Sequence, residues 1–127
     1  MEDFSFESEF YNFKYEKGIF FGTYISGPIT LEVAKSLVSD RLRLTNSKSV
    51  LMLVTVKDLK GMDREARSYL SSEEGIKGVK AGAIVVKSPF TTHMANFFMK
   101  ISFNKSKMPA KVFSHEEEAI IWLRKFE

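Results

Sequence analysis

The sequence predicts an α/β fold: one domain over residues 1–127 with a mixed, mostly parallel sheet and packed helices, in the order ββαβαβαβα. Three observations carry this. "VLMLVTV" and "AGAIVV" are short, continuously apolar runs, as expected of strands buried on both faces. Segments of helical period lie between the strand-like runs. The aromatic residues near the start alternate with polar ones, as in a half-buried hairpin.

In chain order, "EFYNFKYEKGIFFGTYI" reads as two strands joined at "EKG", with Phe10, Asn12 and Lys14 alternating with Tyr11, Phe13 and Tyr15. "SGPIT" breaks that pattern. Thr30 is suited to cap a helix from Leu31 to about Leu44, whose Leu31, Ala34, Leu37, Val38 and Leu42 form one apolar stripe. Lys35, Ser39 and Arg43 fall on the other side. A strand follows over Lys48 to Val56, then a loop, "KDLKGMD". Asp63 is placed to cap a short helix through about Ser72 that turns Ala66, Tyr69 and Leu70 inward and ends at Gly75.

"KAGAIVVKS" is the next buried strand, and "SPFTTHMANFFMKISF" reads as a helix with Ser88 at its N-cap and Pro89 at its first position. A last strand is expected at Ala110 to Phe113. Ser114 and Glu117 have the spacing of a capping box for a final helix facing the core with Ala119, Trp122, Leu123 and Phe126.

The residues "AGAIVVKSPFTTHMANFFMK" and "MPAKVFSHEEEAIIWLRKF" resemble the small bacterial SpoIIAA-like proteins, of STAS type, grouped with CRAL-TRIO-type lipid-binding domains. What the resemblance implies is a fold, since most members of that group have no established activity. In the anti-anti-sigma factors of the STAS group, a phosphorylatable Ser opens the helix after the second buried strand. Here "VKDLKGMDREARSYL" carries Asp63 and Arg64 there, with no Ser or Thr before Ser68, so the phosphoswitch is missing.

Composition narrows the functional classes. The 127 residues include 12 Phe and are 44% apolar, which argues against intrinsic disorder. There is no Cys, hence no disulfide and no thiolate nucleophile or ligand, consistent with a reducing, cytoplasmic setting. The N-terminus lacks the order of a signal peptide, and no apolar run is long enough to span a bilayer. The net charge of +3 is uneven: from Gly75 to His115 there are lysines but no Asp or Glu, a pattern that attracts an anion or acidic partner. Nucleic acid is not expected, because neither an Arg-rich run nor a recognition motif is present.

Candidate site residues follow from topology. In open α/β sheets, ligands gather beyond the carboxyl ends of parallel strands, where helix N-termini present free amides. Lys57, Lys60, Asp63, Ser88, Thr91, Thr92, His93 and Asn96 are candidates for such a rim. Met94, Phe97, Phe98 and Met99 are candidates for an apolar pocket or a homodimer contact, because "MANFFMK" has more apolar residues than one helix face needs. The two histidines, His93 and His115, have no second ligand at metal spacing, so no metal or other cofactor is expected. The expected function is a non-enzymatic binding or regulatory module for a small apolar or anionic molecule or a protein partner. The alternative is a small enzyme using His93 with Ser88 or Thr92.

Overall fold

The computed structural model describes residues 1–25, 28–56, 61–86 and 108–127. Six strands lie side by side in chain order: β1 (Phe4–Glu7), β2 (Tyr11–Glu16), β3 (Ile19–Tyr24), β4 (Val50–Val56), β5 (Val79–Val86) and β6 (Ala110–Phe113). The helices among the described residues are α1 (Leu31–Leu44), α2 (Arg64–Leu70) and α3 (Glu116–Arg124). The first two pairings are antiparallel and the last three are parallel.

The antiparallel part is a meander. Lys17 and Gly18, both at positive φ, make the two-residue turn between β2 and β3. Such turns match the right-handed twist of the strands they join. The sequence reading had two strands here. The structure adds β1, whose Phe4 and Phe6 pair with Tyr15 and Phe13 and extend the aromatic face by one strand.

Alternation then assigns the two faces. Ile19, Leu51, Leu53, Ala81, Ala83 and Val85 point to one side, where Ala119 and Leu123 of α3 cover them. Tyr11, Phe13, Phe20 and Val50 point to the other, with Val33, Leu37 and Leu44 of α1 against them. Helix α2 packs on α1 through Ala34 and Ala66, both without measurable exposure. Two successive parallel crossovers of the same hand, moving in the same direction across a sheet, put their helices on one face, so α1 and α2 become neighbours. The chain leaves the last strand, β6, and α3 folds back over the opposite face.

The N-caps expected for α1 and α2 form as read, but α2 ends at Leu70 with Ser71 as its C-cap, short of the end expected at Gly75. Thr30 accepts a hydrogen bond from the Val33 amide at 3.2 Å, and Asp63 accepts one from the Ala66 amide at 2.8 Å. The expected capping box at Ser114 and Glu117 does not form. Helix α3 starts one residue later, with His115 at the N-cap and no side-chain cap bond. Its first turn is Glu116, Glu117 and Glu118, so three carboxylates face the positive end of the helix dipole and supply the stabilisation instead. The helix expected to begin at Ser88 lies outside the described residues.

Candidate functional site

Opposite α3, the described residues do not completely fill the space between the sheet and the α1–α2 layer. A cavity of about 150 Å³ remains there. Its floor is the sheet, from Tyr11 and Phe13 on β2 to Ala110 on β6. That is four strand spacings, about 19 Å at the usual separation. Its roof includes Leu37, Val38 and Arg41 of α1 and Leu70 of α2. The floor is low where side chains are small. Gly82 of β5 pairs with Met52 on one side and Ala110 on the other. Gly22 of β3 lies under the Phe13 ring, which a Cβ there would meet at 3.5 Å.

Beside the cavity, polar side chains tie the sheet to α1. The Tyr11 hydroxyl donates to Asp40 Oδ2 at 2.5 Å and is 2.8 Å from Ser36 Oγ. Burial and the hydrogen bond to Asp40 both raise the Tyr11 pKa above its ordinary value, so the phenol stays protonated at neutral pH. These bonds join β2 to the exposed side of α1 and hold the roof over the aromatic floor.

Arg41 is the unusual wall residue. It is 1% exposed, yet it is a cation. Its Nη1 donates to the Lys77 carbonyl at 2.7 Å and its Nη2 to the Gly75 carbonyl at 3.0 Å. Among the described residues no carboxylate forms an ion pair with it. Desolvation lowers its pKa to about 10, so it remains charged at neutral pH. Gly75 is itself part of the cavity wall, and its position admits no side chain, because a Cβ would overlap the Tyr69 and Leu70 carbonyl groups.

The sequence pattern had assigned Leu31, Ala34, Leu37, Val38 and Leu42 to the inward stripe and passed over Arg41. The spacing Ala34, Val38, Arg41, Thr45 is i, i+4, i+7, i+11, so helical period alone puts Arg41 on the buried side. Its charge hid it.

The rim residues expected from topology are placed only in part. Asp63 stands at the N-terminus of α2, its carboxylate engaged by the Ala66 amide. The neighbouring loop ends are joined: the Ile29 amide donates to the Gly61 carbonyl at 2.5 Å, and the Asp63 amide to the Ile29 carbonyl at 3.2 Å. The N-termini of α1 and α2 therefore sit side by side, beyond the carboxyl ends of β3 and β4. Lys57, Lys60, Ser88, Thr91, Thr92, His93 and Asn96 lie outside the described residues, as do Met94, Phe97, Phe98 and Met99. Among the described residues no cluster of His, Asp and Glu is arranged to hold a metal, and no helix is long and apolar enough to cross a membrane.

The fold has a solved relative. The crystal structure of an uncharacterized protein of the DUF3478 family, with a SpoIIAA-like fold, from Shewanella loihica PV-4 is similar to this chain, with a TM-score of 0.54 and 16% identity. The match covers 96% of this chain and 92% of that one. At that identity the likeness is one of fold, and it bears out the SpoIIAA-like architecture read from the sequence. No curated protein matches the sequence. A family model described as a domain of unknown function, DUF7793, matches residues 13–127. That span runs from the second strand through the last helix, and the chain belongs to the DUF7793 family.

Proposed function

We propose that this chain is a non-enzymatic binding module whose ligand is a small apolar molecule held between the sheet and the α1–α2 layer. The observation that carries the proposal is the cavity of about 150 Å³ and the character of its walls. Native interiors are close-packed, and voids larger than a water molecule are few. A dry apolar cavity of this size accepts a benzene-sized guest. Most of its described walls come from strands and helices, which hold a site more rigidly than loops do. The missing phosphorylatable Ser, with Asp63 in its place, argues for ligand occupancy and against phosphorylation as the signal.

Titration of the protein with toluene, followed by backbone amide shifts, tests this. Saturable shifts at Leu37, Met52 and Ile84, with a rise in Tm on saturation, are expected. No saturable shift up to the aqueous solubility of toluene overturns the proposal. A turnover found by substrate screening and abolished by His93→Ala in a folded protein would support the catalytic alternative.

A further inference from the structure

The cavity also has a charge at its wall that an uncharged ligand would leave unused. We propose that the cavity takes a small apolar carboxylate, with the Arg41 guanidinium as its counter-ion; this rests on the binding function above and names the ligand class.

Three observations lead there. The first is that Arg41 is buried without an anionic partner among the described residues. Burying an unpaired charge is costly, and such groups are normally paired or neutralised. Arg41 is neither, since it keeps its proton at neutral pH. The second is that its donors are only partly used. A guanidinium has five N–H groups in a rigid fork, and here two carbonyls take one bond each. Holding the loop around Gly75 to Lys77 requires donors but not a charge. A fork with donors to spare is suited to a carboxylate, which it can bind through two parallel bonds.

The third is position. The guanidinium bonds to the carbonyl of Gly75, and both residues line the cavity, while the other walls include Leu37, Met52 and Ile84. Among the described residues lining the cavity, one cationic point on an apolar surface calls for one acidic group on an apolar body. A phosphate would bring more charge and more acceptor oxygens than one guanidinium can satisfy. The volume limits the body to about one small ring or a short chain.

Benzoate and toluene differ mainly by a carboxylate in place of a methyl group, so they separate this proposal from the one before it. Benzoate is expected to bind the wild-type protein at least tenfold more tightly than toluene. Arg41→Met, which keeps an apolar stem, is expected to lose the preference, its affinities for benzoate and toluene coming within a few-fold of each other. If toluene binds and benzoate binds no better, the carboxylate proposal fails while the apolar binding function stands. If neither binds, the binding function fails and this proposal with it. A benzoate preference that survives in Arg41→Met also overturns the assignment. Should that variant not fold, the wild-type protein decides. Benzoate must shift the Arg41 Nε–H resonance and toluene must not, and an unmoved resonance under bound benzoate sinks the proposal.

Discussion

The Tyr11 hydroxyl donates to the Asp40 carboxylate at 2.5 Å, joining the second strand to the first helix beside the apolar cavity. A hydrogen bond to a charged acceptor contributes about 1.5–3 kcal/mol, more than a neutral pair. Tyr11→Phe keeps the ring that packs on Phe13 and removes only the hydroxyl. Urea denaturation is expected to show a lower midpoint, by the equivalent of about 1–3 kcal/mol, with an unchanged slope. An unchanged midpoint would mean that the bond does not hold the roof in place.

The same tyrosine makes stability sensitive to alkali. Tyr11, Tyr24 and Tyr69 all have raised pKa values, burial being the leading cause in each. A group whose folded pKa is raised contributes stability that is full below its unfolded pKa, about 10, and lost as pH climbs through the folded value. Arg41 works in the opposite sense. Its folded pKa of about 10 lies below the ordinary Arg value, so the cost of burying its charge is present below pH 10 and relieved above it. Comparing wild type with Tyr11→Phe cancels the Arg41 contribution. The variant is expected to lose stability less steeply above pH 10, measured by denaturant midpoints, and identical slopes would contradict the assignment.

Gly75 is fixed by space. A Cβ there would overlap the Tyr69 and Leu70 carbonyl groups, which close the end of α2. Gly75→Ala is expected to destabilise by about 1–3 kcal/mol through forced backbone shifts. It should also disturb the Arg41 side chain, whose Nη2 bonds to the Gly75 carbonyl. Thermal unfolding measures the first effect and the Arg41 Nε–H resonance the second. A neutral substitution would contradict the packing of this turn.

On the other face, Leu123 and Ile121 form a matched pair on one helix. Leu123 has no measurable exposure, whereas Ile121 is 66% exposed. Leu123→Ala is expected to cost about 2–5 kcal/mol, the usual range for a buried Leu. Ile121→Ala should stay within about 0.5 kcal/mol of wild type. Equal effects would mean that α3 does not present the face described.

Local signals in the sequence carried most of the fold. Thr30 and Asp63 sit one residue before their helices, and side-chain-to-amide bonding is a short-range property. The apolar runs of β4 and β5 are legible because burial on both faces leaves no polar alternation. β1 was not read as a strand, since "FSFE" is four residues long and its pairing with β2 is decided by the aromatic face it extends. The start of α3 was placed one residue early, because the Ser114 and Glu117 spacing fits a capping box that the chain does not adopt.

The cavity was not legible. Its described walls draw on five strands, two helices and the turns beside them, and no window of sequence contains them together. The sequence did point to an apolar pocket at Met94, Phe97, Phe98 and Met99, from the excess of large side chains there, and these lie outside the described residues. The described walls include Gly22, Gly82 and Ala110, where small side chains leave room. Arg41 was legible by period and concealed by its charge, since burial of an Arg is rarely the first expectation.

Xenon enters empty apolar cavities without needing any hydrogen bond, which makes it the most direct probe of the central claim. A crystal structure under xenon pressure is predicted to show an ordered atom between Leu37 of α1 and Ile84 of β5. Ordered xenon at other sites with none in this space would contradict the claim that the sheet and its helices enclose a binding cavity.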